Sequence, residues 1–192
     1  MNWEDLKFYK PIEKTELSNA KKSIEAIVAE KLTPFGFRKF GRKLIRKSND
    51  LIHIIHLDSR GSWHGSSNNI KTEIAIVSIF DTDILVENFE PISSSYIQDL
   101  DPTLRNYYQI TKEFNLFADY LSRKIIELVL PHFDKYLSSI DVLTKGVKVG
   151  ETKNLKIFCG LTNQEITSQK EFSDKDLKVK KAAVLKKLKI TE

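Results

Sequence analysis

Apolar residues recur at three- and four-residue spacing in two long stretches of this chain, and between those stretches they alternate or run on as strands do. Leu17, Ala20, Ile24, Ile27, Val28 and Leu32 form one stripe, which predicts a helix over 16–32. Thr15 is placed to cap it, with Glu16 favourably set against the helix dipole. Pro34 is expected to push Thr33 out of the helical region, and Gly36 follows, so the helix should stop after Leu32. Phe114, Phe117, Leu121, Ile125 and Leu128 keep helical spacing, with Val129 widening the stripe, and predict a second helix over 112–130. Pro131 then kinks that helix or, as the preferred reading, opens another as its first residue. Phe133, Tyr136, Leu137 and Ile140 carry the period on toward Gly146.

The segment between the helices reads as sheet. Residues 37–47 alternate basic and apolar side chains, with Phe40, Leu44 and Ile45 as the packing positions. Ser48-Asn49-Asp50 is a turn signal, and 51–57 follows as a β-branched strand, so the pair reads as a hairpin. Residues 58–69 read as a loop rich in Gly, Ser and Asn. Residues 70–80 form a third strand, whose near-continuous apolar run predicts an inner position buried on both faces. The stretch 81–110 is punctuated by Pro91, a serine run and Pro102. Short strands at 84–86 and 107–110 are expected there, because an unstructured loop of that length is unusual. Beyond Gly146, 155–159 reads as a strand. Residues 174–188 read as a Lys-rich amphipathic helix, with Ser173 as N-cap and Leu177, Val184, Leu185 and Leu188 as its apolar side.

These elements predict an α+β fold: an antiparallel sheet of about four strands packed against an N-terminal helix and a long central helix, with a C-terminal strand–helix appendage. The 192 residues are read as one domain with a core over about 12–145 and an appendage over about 146–192. A chain of this length buries roughly 70% of its unfolded surface, so folding needs no disulfide or structural metal. The 41% hydrophobic and 30% charged fractions are ordinary for a globular protein, which argues against disorder.

Cys159 is the only cysteine, so no intramolecular disulfide can form. Residues 1–10 are charged throughout and do not read as a secretory signal. The apolar runs at 74–80 and 125–130 are far too short to span a bilayer. A cytoplasmic location with no membrane partner is therefore expected. The net charge of +5 is modest, but it is unevenly spread: 38–47 holds six basic residues in ten and 175–189 is rich in Lys, whereas 81–101 is acidic. Such asymmetry marks either a partner surface or a solvated face.

The basic segment is the main functional lead. If 37–47 is one strand, Arg38, Arg42 and Arg46 share a face with Phe40, a row suited to clamping phosphate or carboxylate groups. Lys39, Lys43 and Lys47 then occupy the other face. An edge strand would use the same charges to block aggregation. His53 and His56 resemble a metal pair, but on a strand they face opposite sides, about 10 Å apart at ~3.3 Å per residue. No metal site is assigned, because no four-ligand cluster accompanies them. His56 is kept as a candidate ligand-binding residue. Trp63 and His64 lie between Gly61 and Gly65 on a loop, where they would touch a ligand or fold back over the sheet edge. Cys159, within an apolar run, reads as a buried small hydrophobe. No phosphate loop, paired catalytic carboxylates or catalytic triad is recognisable, so no catalytic residue and no cofactor is assigned.

The run Leu32-Thr33-Pro34-Phe35-Gly36-Phe37, the basic Arg38-Lys39-Phe40-Gly41-Arg42 and then Leu44–Arg46 resemble the bacterial family called domain of unknown function 4304. That family shows a helix, a Gly-Phe turn, a basic strand, a strand ending near a Gln and a later apolar strand. Here His56 stands about where the Gln is expected, 74–77 resembles the apolar strand, and Leu130-Pro131-His132-Phe133 is similar to the family's helix break. The resemblance covers about 17–143. It implies a bacterial α+β domain and no chemistry, since the family has no assigned activity. Three functional expectations follow. A non-enzymatic protein-binding module leads, with an immunity or accessory protein of a toxin system as one concrete form. A nucleic-acid or phosphate binder using 38–47 is second. An enzyme is third, and it requires a pocket where His56, His64 and an acid converge.

Overall fold

Helix α1 spans Lys14–Leu32 and buries Leu17, Ala20, Ile24, Val28 and Leu32, with Ile27 half-buried beside them. This computed structural model describes residues 2–59, 68–81, 95–138 and 174–191. Each large aliphatic side chain of the stripe contributes about 1.5–3 kcal/mol on burial, enough to hold a helix that water alone would leave marginal. Both ends of α1 differ from expectation. Glu13, rather than Thr15, is the N-cap, and its carbonyl accepts the amides of Glu16 and Leu17 at 3.0 and 3.1 Å. Pro11 is bridged to Thr111, so the chain enters the helix directly from a tethered segment and Thr15 falls inside the first turn. At the other end Thr33 stays helical, at φ −55° and ψ −43°, in spite of Pro34. Thr33–Phe35 continue as a 3-10 turn, and the stop comes at Gly36, with φ 82°. The amide of Gly36 bonds Thr33 and that of Phe37 bonds Leu32, at 3.0 and 3.3 Å. Gly36 terminates the helix, because a left-handed residue there costs glycine nothing sterically.

The expected single strand over 37–47 is two strands. β1 (Arg38–Phe40) and β2 (Lys43–Ser48) pair antiparallel, with Arg38 opposite Ile45, Lys39 opposite Leu44 and Phe40 opposite Lys43. Gly41 and Arg42 form the turn between them, and Gly41, at φ 59°, supplies the positive φ that a two-residue hairpin loop demands. The next turn, Asn49 and Asp50, has Asn49 at φ 54° and leads into β3 (Leu51–Asp58), as expected. β4 (Asn69–Ser78), β5 (Ser95–Tyr96) and β6 (Tyr108–Gln109) follow. The order is β1-β2-β3-β4-β5, and β6 also pairs with β4, with Asn69 opposite Gln109. The sheet thus holds six strands among the described residues, against about four expected. The excess comes from the break at Gly41 and from the short β5, which carries too few residues to show a period. Every residue of β3 is buried, and on β4 all but Lys71 and Glu73 are, as befits inner strands.

The second helical stretch is α2 (Phe114–Lys124), a π turn (Ile125–Val129) and α3 (Leu130–Phe133). Pro131 is the second residue of α3, so it neither opens that helix nor stops the path. Its ring would strike the carbonyl four residues back, at Glu127, and the widened π turn lies at that carbonyl. Helix does not continue through Tyr136 and Leu137 as the period implied, and Leu137 is 62% exposed. α4 (Asp174–Leu188) has the predicted bounds, with Val184, Leu185 and Leu188 buried and Leu177 half-buried. The expected strands at 84–86 and 155–159, Cys159 and the cap Ser173 lie outside the described residues. Among the described residues no helix is long and apolar enough to cross a membrane.

The chain divides into two compact units. The first comprises Met1–Ile45, Ile55–Glu73 and Tyr96–His132, and the second Arg46–Ile54, Ile74–Ser95 and Phe133–Glu192. In the first, α1 packs on α2, and Trp3 of an N-terminal 3-10 turn (Trp3–Asp5) is buried in an aromatic cluster. Its ring stacks on Tyr120 at 4.9 Å between centroids, with Phe117 and Tyr108 at 5.4 and 5.5 Å. The hydroxyls of Tyr108 and Tyr120 meet at 3.3 Å, and burial is the main cause that raises the Tyr120 phenol well above its ordinary range. Nothing in the spacing of residues 1–10 announces this cluster.

Candidate functional site

The basic segment does not form the arginine row that one strand would have made. Arg38 shares a face with Ile45, its register partner, and alternation along β2 gives Arg46 the opposite face. Arg42 stands in the turn and is exposed. Lys39 on the edge strand is ion-paired with Glu25 of α1 at 3.0 Å. The hairpin therefore offers its charge at the tip and along one edge rather than as a three-arginine clamp.

Arg46 is engaged in the second unit. Its Nε and one terminal nitrogen donate to His53 Nδ1 at 3.1 and 3.0 Å, and the guanidinium pairs with Asp134 at 2.6 Å. Arginine can only donate, so Nδ1 of His53 is an acceptor and the neutral ring carries its proton on Nε2. The ring is fully buried and lies flat on Phe133, 4.5 Å between centroids at 14°. This is a packed assembly holding one cation in place, with Asp134 at its wet end.

In the first unit the other histidine does the reverse. His56 Nδ1 lies 2.8 Å from Glu73 Oε2, and both side chains are largely buried. As a carboxylate Glu73 only accepts, so Nδ1 donates and the lone pair of the neutral ring sits on Nε2. Across the β1–β2 hairpin Phe40 stands opposite Lys43. On β4, the Lys71 ammonium lies 3.3 Å from the centre of the Tyr96 ring. Lys43 and Glu73 are half-buried.

A third feature stands beside the hairpin tip. Lys21 of α1 donates to the Ser59 carbonyl at 2.6 Å. Desolvation lowers its pKa first, and the charge of Arg42 lowers it further, against an opposing pull from Asp58. Two cations from different elements are thus close enough to repel.

Of the residues singled out in the sequence, the structure brings Arg38 and His56 to one face of the sheet, leaves Arg42 at the exposed turn and commits Arg46 elsewhere. Trp63 and His64 lie outside the described residues. Glu73, the acid that meets His56, was missed. The available signal was its place, with Lys71, as a charged residue inside an otherwise apolar strand. Among the described residues no group of three metal-ligating side chains comes together. Compared with protein-family models, curated proteins and solved structures, the chain matches none.

Proposed function

We propose that this protein is a non-enzymatic binding module whose β1–β2 hairpin receives an acidic protein partner. The observation that carries the reading is exposed Arg42 at the hairpin tip beside Lys21 of α1, whose pKa is lowered first by desolvation and then by the charge of Arg42. A partner carboxylate placed there relieves that repulsion and forms charge-assisted hydrogen bonds with the Arg42 fork. Phe35, 39% exposed just before the edge strand, adds the aromatic contact that protein interfaces favour. An immunity or accessory protein of a toxin system is one form such a module takes. Membership of the family of unknown function 4304 over 17–143 belongs to the same proposal.

Charge reversal tests it. Tagged wild-type protein and an Arg42→Glu variant are incubated with lysate of the native cell, and bound proteins are identified and then titrated singly. The expected result is an acidic partner whose affinity falls at least about tenfold on charge reversal, a loss of about 1.4 kcal/mol. A partner set indifferent to Arg42→Glu would overturn the proposal. Oligonucleotide binding whose affinity falls steeply with salt would instead assign the hairpin to nucleic acid, although the withdrawal of Arg46 leaves few cations for phosphates.

A further inference from the structure

A cavity of about 480 Å³ lies in the first unit, where the N-terminal half of α1 meets the chain leading into α2. Its volume is that of a small-molecule site, roughly 300–1,000 Å³. Backbone pairing builds it. Pro11 is bridged to Thr111, and the Lys112 amide donates to the Lys10 carbonyl at 2.9 Å, so Ile12 and Lys112 reach the cavity from paired segments. On α1, Glu16 and Ala20 are four residues apart, as are Thr15 and Asn19, so the four line one flank of the helix. Ile12 and Ala20 are buried and Phe114 is half-buried, whereas the polar lining residues are exposed. The wall is thus apolar where it is closed off and polar where it meets solvent.

Two opposite charges stand at the polar side. Lys112 Nζ lies 4.0 Å from Glu16 Oε2, with each side chain about half exposed. That separation is too long for a hydrogen bond, so the two groups attract each other without a directed contact. A ligand with a carboxylate and an ammonium on one carbon can set the first against Lys112 and the second against Glu16. Two charge-assisted hydrogen bonds then replace one loose contact. A peptide matches the pair less well, because each further residue parts its free ends by up to about 3.8 Å.

We infer that this cavity binds a free α-amino acid with an apolar side chain. Lys112 takes its carboxylate, Glu16 its ammonium, and Ile12, Ala20 and Phe114 receive the side chain. Thr15 and Asn19 add groups that both donate and accept beside the charged end. The site shares no residue with the hairpin tip, so it stands whether or not an acidic partner is found there.

The test follows the backbone amides of Thr15, Asn19 and Phe114 by NMR in the full chain while L-leucine is added at fixed pH and ionic strength. Saturable shifts are expected. Isocaproate lacks the amino group of leucine and isopentylamine lacks its carboxylate, and each should bind at least about fivefold more weakly. Glycine, without a side chain for the apolar wall, should not saturate. Lys112→Met is expected to weaken leucine at least about fivefold and to leave isopentylamine as it was, while Glu16→Gln should weaken leucine and spare isocaproate. Lys112→Arg keeps the charge and should restore leucine binding, which separates a lost contact from a folding defect in the methionine variant. No saturable response to leucine, a single-charge analogue that binds as tightly, or glycine saturating as readily would each overturn the site.

Discussion

His53 and His56 stand three residues apart on one strand, and the structure uses them in opposite ways. In the second unit, His53 accepts from Arg46 through Nδ1 and is pressed against Phe133. In the first, His56 donates through Nδ1 to Glu73. The two neutral rings are therefore opposite tautomers. What differs is the neighbour: a cation forces a histidine to accept, and a carboxylate forces it to donate. A His-x-x-His spacing on a strand separates its members into different environments, which is why it makes a poor metal pair.

The contrast can be broken by substitution. Phe133→Ala should have the largest effect. Phe133 is fully buried, and truncating such a ring costs about 3–5 kcal/mol in urea unfolding. A loss below about 1 kcal/mol would mean that the His53 assembly is not a packed core after all. Arg46→Met should come next. It removes both donors to a buried acceptor, so about 1–3 kcal/mol should be lost. The ring is expected to exchange tautomer as well, which nitrogen-15 shifts would reveal. If the His53 tautomer stays as it was, Arg46 does not set it. Glu73→Gln should be the mildest. The amide oxygen still accepts from Nδ1, so stability should drop by only about 1 kcal/mol. A loss as large as that of Phe133→Ala would make His56 and Glu73 a core pair like the other, and the difference between the regions would vanish.

Much of the fold was legible. The Leu17-to-Leu32 stripe and the Val184, Leu185 and Leu188 side of α4 repeat at helical spacing over many residues, so burial and period agree. β3 and β4 were readable because inner strands are apolar nearly throughout. The break at Gly41 was not, since alternation of basic and apolar residues continues straight across it: Lys39 and Phe40 before the turn look like Lys43 and Leu44 after it. Pro34 and Gly36 both read as stop signals, but a 3-10 turn tolerates proline and it is Gly36 that ends the path. For the candidate site, His56 was legible as a polar residue inside a strand. Its meeting with Glu73 was not, because it depends on a pairing of strands that no local spacing encodes.

The sequence by itself determined the helices over 16–32 and 174–188, an inner strand over 70–80, and that 38–47 is basic. Those properties rest on periodicity and side-chain chemistry, which act over a few residues. Tertiary structure alone decided which charged groups meet. Arg46 lost its place in a clamp to His53 and Asp134, and His56 gained Glu73 from a strand seventeen residues on. Contacts between strands are set by turn geometry and by the alternation of faces. One glycine in the left-handed region was enough to turn a row of three arginines into a hairpin with a different face.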